Sequence, residues 1–176
     1  MPIYTRSTGT SFKPAPAGAH GAVCCDIVDL GELEVTYAGK TKKQHKIKVV
    51  WQIEELRDDG KPFTVSNRYT NSLHEKSNMR KDLESLRGKP FTEEELRGFD
   101  LEVLLAKACM VNVMHNQKDG STYANVTTIM RLPKGMAAPT VRDYVRECDR
   151  KPEDQASQEH GNDWDAGPLT DDDVPF

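Results

Sequence analysis

The sequence predicts a small, mainly β protein in which helices lie between the third and fourth of five strands. Alternating apolar and polar side chains over much of the first half are typical of half-buried strands. The period then changes to that of an amphipathic helix over residues 77–87. Two further alternating segments follow and meet at the turn Lys118-Asp119-Gly120, which is typical of a hairpin.

The first three strands are expected over residues 22–37, 45–54 and 63–70, with an interruption of the first near Gly31 that fits a bulge or a bend. Turns at Gly39 and at Asp58-Asp59-Gly60 separate them. In the second strand one phase is apolar and indicates the core; it contains Ile47, Val49, Trp51 and Ile53. The other phase contains Lys46, Lys48, Val50 and Gln52.

The helical connection has recognisable ends. Ser77 is a suitable N-cap for a helix that runs to about Arg87, and Gly88 is suited to end it. Thr92 and Glu95 have the spacing of a capping box for a second, short helix. Asp100 then opens a short apolar helix. The last two strands are expected over residues 109–116 and 122–130.

Three strands, a helical connection and a hairpin follow the order of the OB-fold, a five-stranded Greek-key barrel with a helix between strands 3 and 4. We expect such a barrel over residues 19–135, although the same order also fits other small α+β folds. Flanking it we expect a flexible arm (1–18), a flexible acidic linker (136–170) and a short tip (171–176), so that both termini are disordered. OB-folds commonly bind oligonucleotides or oligosaccharides on the face of strands 2 and 3.

The net charge of −4 conceals an uneven distribution. Residues 147–176 contain ten acidic and two basic side chains, whereas residues 1–146 contain 18 acidic and 22 basic ones. A basic body that carries an acidic tail indicates a polyanionic partner. The longest apolar run is too short for a transmembrane helix, and residues 1–18 lack the apolar core of a signal peptide. We therefore expect no membrane partner and a cytoplasmic protein with reduced thiols.

A run of lysines without an intervening acid is the strongest internal signal for nucleic acid. No acidic residue lies between Glu34 and Glu54, and Arg68 shares the phase of the lysines on the second strand if the strands pair as expected. Ammonium groups displace counterions from phosphates and bind without sequence preference. The alternative is a solvated strand face whose lysines protect an edge. The lysines are Lys40, Lys42, Lys43, Lys46 and Lys48.

Aromatic and basic side chains near this run extend the candidate interface. Tyr37, Tyr69 and Tyr123 could stack on bases, whereas Trp51 shares the core phase. A helix N-terminus attracts phosphate. The basic residues at the start of the first helix are therefore further candidates for contact with DNA. Their alternative role is the solvated side of an amphipathic helix. The candidates beyond the lysine run are Arg68, Tyr69, Lys76, Arg80 and Tyr123.

The C-terminal segment combines three acids with an apolar pair and a terminal carboxylate. It consists of Asp171, Asp172, Asp173, Val174, Pro175 and Phe176. An aromatic ring beside carboxylates suits an apolar pocket with a basic rim. The segment resembles the acidic tip of bacterial single-stranded DNA-binding proteins, typically Asp-Asp-Asp-Ile-Pro-Phe, and differs at Val174. The resemblance implies an OB-fold core, an acidic linker and a tip that recruits replication, recombination and repair proteins.

Two internal stretches, residues 69–84 and 118–126, resemble OB-fold single-stranded DNA-binding proteins of bacteriophages and mobile elements. This resemblance implies a protein that coats and protects single-stranded DNA during phage replication and recombination in a bacterial host cell, without sequence preference. No DNA contacts are transferred from the bacterial family, because its usual core sequence is absent. The sequence leaves open whether the chain forms a homo-oligomer.

Catalytic patterns are weak, so we expect no enzyme, cofactor or metal. His20, Cys24 and Cys25 do not supply a four-ligand zinc site, and buried free thiols are expected at Cys24, Cys25 and Cys109. No complete Gly-x4-Gly-Lys-Ser/Thr phosphate loop or serine nucleophile elbow is present. The competing hypotheses are a strand-annealing or nuclease protein, and an adaptor that mimics the host tip without binding DNA.

Overall fold

The computed structural model describes residues 13–150. The C-terminal tip and the first twelve residues lie outside this range. The strands are β1 (Gly18–Tyr37), β2 (Lys40–Leu56), β3 (Pro62–Thr70), β4 (Ala108–Lys118) and β5 (Ser121–Arg131). The helices are α1 (Asn78–Arg87) and α2 (Glu93–Arg97), together with short 3-10 helices at Leu101–Leu104 and Glu147–Asp149. The mainly β class, the five strands and the position of the helices are confirmed.

All five strands form one antiparallel sheet in the order β3-β2-β1-β4-β5. The edge strands β3 and β5 approach each other, with Cα atoms within 8 Å. Within residues 13–150 no hydrogen-bonded ladder joins them, so the sheet is not closed into a barrel.

Two bulges interrupt β1 and change which side chains face the core. The register with β2 shifts between Asp29 and Gly31, where the sequence predicts an interruption, and also between Cys24 and Asp26. Because residues on a strand alternate between faces, an extra residue reverses the face of those that follow. The bulge at Cys25 therefore places Asp26 opposite Val50, on the face away from the core.

The apolar core lies on one face of the sheet and is covered by the helical connection. The apolar phase of β2, including Trp51, is buried there, as predicted. Met79 and Leu83 of α1 close the core from above, and Phe91 and Leu104 add to it from the segments that follow. We call the opposite face of β1, β2 and β3 the outer face.

The helix ends follow the predicted capping pattern. The Ser77 hydroxyl accepts a hydrogen bond from the backbone N–H of Arg80 (3.5 Å), and Gly88 ends α1 with a φ of +69°. Thr92 and Glu95 form a reciprocal capping box at the start of α2.

Chain segments on both sides of the sheet pack against it. Of the sequence assigned to the N-terminal arm, residues 13–18 are described, and Ala15 belongs to the buried core. Of the sequence assigned to the acidic linker, residues 136–150 are described. Residues 142–150, which we call the strap, are held against the outer face by hydrogen bonds to Asp26 and Gln52.

Candidate nucleic-acid interface

The β1–β2 hairpin projects beyond the rest of the sheet. Lys46 pairs with Thr70, the last residue of β3, and residues 32–37 and 40–45 have ladder partners only in each other among the described residues. We call residues 32–44 the ribbon. Its turn is formed by Ala38 and Gly39, both at positive φ (49° and 78°), which matches the twist of a tight hairpin.

Strand geometry sorts the lysines of β2 between the two faces of the ribbon. The register shows no shift on β2 from Lys40 to Gln52, so even-numbered residues share the outer face. Lys43 lies on the other face, opposite Glu34. Alternate residues are about 6.7 Å apart, so the lysines of the outer face form a cationic row that is interrupted at Gln44. This lysine row consists of Lys40, Lys42, Lys46 and Lys48.

The lysine row continues onto β3. Arg68 is the cross-strand partner of Lys48, and its side chain is exposed on the same face, as the alternation predicts. The Lys46 ammonium donates a 2.7 Å hydrogen bond to the Thr70 hydroxyl, which fixes its position at the base of the ribbon. The structure thus brings five of the ten candidate contacts onto one face.

The ribbon also separates apolar from acidic side chains. Leu33, Val35 and Tyr37 of β1 pair with Gln44, Lys42 and Lys40, and therefore share the outer face with the lysines. Leu33 is 39% exposed. The two acids of the ribbon, Glu32 and Glu34, point to the other face. The outer face of the ribbon is therefore both cationic and apolar.

The strap is anchored on Asp26, whose side chain is 1% exposed. The Tyr144 hydroxyl and the Glu147 backbone N–H donate to Asp26 Oδ2 (3.1 and 2.8 Å). The Arg146 Nε and the Ile27 backbone N–H donate to Oδ1 (3.2 and 2.8 Å). Four donors satisfy this buried carboxylate, and three of them come from the strap.

Gln52 provides the second anchor. Its side-chain amide donates to the Arg142 carbonyl (2.7 Å) and accepts from the Arg142 backbone N–H (2.8 Å). Gln52 is buried, and this paired contact satisfies both ends of its amide group. The strap is thus fixed at its first residue by Gln52 and at residues 144–147 by Asp26.

Electrostatic contacts tie the strap to its surroundings. The Arg146 guanidinium forms a bidentate pair with Glu102 (2.8 and 3.2 Å), and its hydrogen bonds hold the pKa of the Glu102 carboxyl below its usual range. Burial raises the pKa of the Tyr144 hydroxyl, which stays protonated to donate to Asp26. The Glu147 carboxylate lies 3.1 Å from the Lys48 ammonium.

Tyr69, a candidate for base stacking, lies in the core instead. It pairs with Ile47, is 5% exposed, and its hydroxyl donates a 2.7 Å hydrogen bond to Asp82 of α1. Its ring has no face open to a base, because its phase along β3 is that of Phe63 and Val65. Burial raises the pKa of its hydroxyl well above the usual range.

Lys76 and Arg80 lie at the start of α1, which packs on the core side of the sheet. The Arg80 guanidinium pairs with Glu84 (3.0 Å) and donates to the Leu73 carbonyl (3.3 Å), so its contacts are within the helical region. Lys76 is exposed. Neither residue shares a face with the lysine row.

Tyr123 is also separated from the lysine row. It pairs with Asn116 near the β4–β5 turn. That turn lies at the end of the sheet opposite the ribbon, because β4 pairs with the first residues of β1 whereas the ribbon contains its last residues.

Sequence patterns did not identify the residues that dock the strap. Asp26 lies in an apolar segment, and only the bulge before it directs it outward. Gln52 and Glu147 resemble ordinary surface residues in the sequence. The available signal was the presence of Val141, Tyr144 and Val145 in a segment that is otherwise polar.

Within residues 13–150, no helix is long and apolar enough to cross a membrane. In the same range no cluster of three or more His, Cys, Asp or Glu side chains could hold a metal ion. Comparison with protein-family models and with curated proteins finds no match for this chain. Function is therefore inferred from the geometry and charge of its own residues.

Proposed function

We propose that this protein binds single-stranded DNA without sequence preference on the outer face of its ribbon and of strands β2 and β3. The observation that carries the proposal is the sorting of the ribbon, in which Lys40 and Lys42 share one face with Tyr37 while Glu32 and Glu34 occupy the other. Such a protein coats and protects single strands in phage replication and recombination. It catalyses no reaction.

The chemistry of this face favours a single strand over a duplex. A duplex presents phosphates but keeps its bases stacked inside, whereas a single strand also exposes apolar base faces. Lysines beside a tyrosine and aliphatic side chains can contact both parts of a single strand. The two acids on the reverse face oppose insertion of the ribbon into a groove, where both faces would meet phosphates.

The strand order supports an OB-like architecture for this binding face. Each strand has the neighbours that it would have in an OB-fold, except that β3 and β5 are not paired here. OB-folds are themselves partly open barrels. The face of β2 and β3 together with the β1–β2 connection is a common binding surface of that fold.

The decisive experiment compares two neighbouring lysines on opposite faces of the ribbon. Binding of a fluorescent single-stranded oligonucleotide is titrated at several salt concentrations for wild type, Lys42→Gln and Lys43→Gln. The first substitution should reduce the slope of log affinity against log salt by about 0.7 and weaken binding roughly fivefold at 0.1 M salt, because one phosphate contact is lost. The second should change the slope by less than half as much.

Equal effects of the two substitutions would contradict the assigned face, and absence of binding by wild type would overturn the proposal. Tighter binding to duplex than to single strand would do the same. Complementary-strand pairing measured with the same oligonucleotides tests the annealing alternative. If charge reversal at Lys46 and Lys48 leaves all functions intact, the adaptor alternative is correct.

Recruitment of replication, recombination and repair proteins through Asp171–Phe176 is the second part of the proposal, supported by the acidic-aromatic sequence of that segment. Deletion of residues 171–176 should abolish capture of host partner proteins while DNA binding is retained or improved. Capture that survives the deletion would show that another surface recruits them.

A further inference from the structure

The strap lies on the outer face of β1 and β2, and its Glu147 carboxylate meets the lysine row at Lys48. The Lys48 side chain is 16% exposed and the Glu147 side chain 38% exposed, so the carboxylate is the more accessible partner. Lys48 is the cross-strand neighbour of Arg68 and belongs to the lysine row. In the free protein, one position of that row is therefore covered by an acid from the protein's own chain.

The backbone and the side chain of Glu147 are held to different degrees. Its backbone N–H is fixed by a 2.8 Å hydrogen bond to the buried Asp26, and the neighbouring Arg146 is tied to Asp26 and Glu102. Its carboxylate is attached only by a flexible side chain and has one described partner, Lys48. Rotation of this side chain would expose the Lys48 ammonium while all backbone anchors of the strap persist.

A phosphate can replace this carboxylate because both are anions that accept hydrogen bonds from an ammonium group. We propose that Glu147 competes with DNA for Lys48: its carboxylate occupies the ammonium in the free protein, and a phosphate of the bound single strand displaces it while the strap stays docked. This inference rests on the proposed function and adds to it an intramolecular contact that lowers the affinity for DNA.

The exchange has a measurable consequence for salt dependence. Salt weakens the contact of Lys48 with a phosphate, but it also screens the competing ion pair of Lys48 with Glu147. Lys48 therefore contributes less than about 0.7 to the slope in wild type. Once Glu147 is neutralised, the contribution approaches the full value of about 0.7 that is expected for one phosphate of a single strand.

The test uses the full-length chain and a fluorescent oligothymidine strand at several salt concentrations. Glu147→Gln should bind roughly two- to fivefold more tightly at 0.1 M salt, because the competing ion pair is lost, and its slope should be steeper than that of wild type. Asp149→Asn is the matched control, since it removes an exposed acid two residues further along the strap. It should leave the slope unchanged. In a Lys48→Met background, Glu147→Gln should have no effect.

The outcomes separate this inference from the proposed function. If wild type binds the strand but Glu147→Gln and Asp149→Asn behave alike, the competition is overturned and the DNA-binding function stands. If Glu147→Gln still tightens binding when Lys48 is absent, the effect is general electrostatics and the competition is likewise overturned. If neither wild type nor Glu147→Gln binds, both proposals fail. Thermal unfolding of each variant shows whether the fold is preserved.

Discussion

At the scale of single residues, Tyr69 illustrates how one side chain can satisfy two sequence patterns. Its spacing from Phe63 and Val65 indicates the core, whereas its neighbour Arg68 indicates a charged surface. Both patterns describe the strand correctly, because successive residues point to opposite faces. The burial of Tyr69 and its hydrogen bond to Asp82 assign it to packing between β3 and α1.

Tyr69→Phe should therefore lower stability without changing DNA affinity. The substitution removes one hydrogen bond to a carboxylate and keeps the ring, so we expect a loss of about 1.5–3 kcal/mol in the free energy of unfolding. Urea denaturation measures this loss, and titration with single-stranded DNA should give the wild-type affinity. A large loss of DNA affinity in a stably folded variant would show that Tyr69 contributes to DNA binding.

The buried thiols provide a second residue-scale observation. Cys24, Cys25 and Cys109 are free and buried, as the sequence predicts, whereas Cys148 is exposed. Burial raises the pKa of the Cys24 and Cys109 thiols to about 12 and that of Cys25 further. In the folded protein these groups remain neutral well above the pH at which an exposed thiol ionises.

At the scale of elements, the bulge at Cys25 in β1 and the strap act together on one side chain, that of Asp26. The bulge at Cys25 directs the Asp26 carboxylate out of the core, and the strap buries it again beneath its own donors. A buried carboxylate is unfavourable unless its oxygens are satisfied. The strap and the bulge are therefore coupled through Asp26: the bulge directs the carboxylate outward, and the strap supplies the donors that satisfy it.

Asp26→Asn should release the strap while the sheet remains folded. The new amide group faces hydrogen-bond donors and the ion pair with Arg146 is lost, at a cost of about 1–3 kcal/mol. Limited trypsin digestion reports this directly, since Arg142, Arg146 and Arg150 lie in the strap. Cleavage there should become roughly tenfold faster or more.

The matched control is Asp29→Asn, which makes the same change on an exposed part of the same strand. The Asp29 carboxylate contacts Gly31 and His45 and not the strap, so cleavage within the strap should stay at the wild-type rate. Faster cleavage throughout the sheet of Asp26→Asn would indicate global unfolding and contradict a local role for Asp26.

At the scale of the whole molecule, charge is divided between residues 1–150 and the residues that follow them. Residues 1–150 contain 23 basic and 20 acidic side chains, and residues 151–176 contain one basic and eight acidic ones. The net charge of the chain averages these two parts and hides the cationic outer face. The lysine row, rather than the overall charge, determines how the proposed interface attracts phosphate.

The stability of the whole molecule should fall at alkaline pH. Below about pH 9 the buried thiols are protonated in both the folded and the unfolded states, so their contribution is constant. Between about pH 9 and 12 they ionise only in the unfolded state, which is thereby favoured. Each such thiol then lowers the free energy of unfolding by up to about 1.4 kcal/mol per pH unit.

Urea denaturation under reducing conditions at pH 8, 9 and 10 measures this dependence. Cys109→Ala should reduce its steepness, because one buried thiol is removed, whereas Cys148→Ala should leave it unchanged. A free energy of unfolding that is constant from pH 8 to 10 would show that the three thiols are not buried as described.

The sequence by itself determined the local features of this protein. Alternation predicted the strands and the core phase that contains Trp51, and short capping motifs predicted the ends of α1 and α2. The alternation also placed Lys46 and Lys48 on the non-core face of the second strand, but this strand was expected to begin at residue 45, so Lys40 and Lys42 were assigned to the connection before it. These features depend on residues close together in the chain, where backbone geometry and side-chain chemistry act directly.

Only the tertiary structure decided which candidates belong together and what covers them. It separated Tyr123 from the lysine row, because the two hairpins point to opposite ends of the sheet. It also brought Glu147 to Lys48 and to Asp26, across 99 and 121 residues of sequence. Such contacts follow from a strand bulge and from burial of a distant segment, and local periodicity contains no information about either.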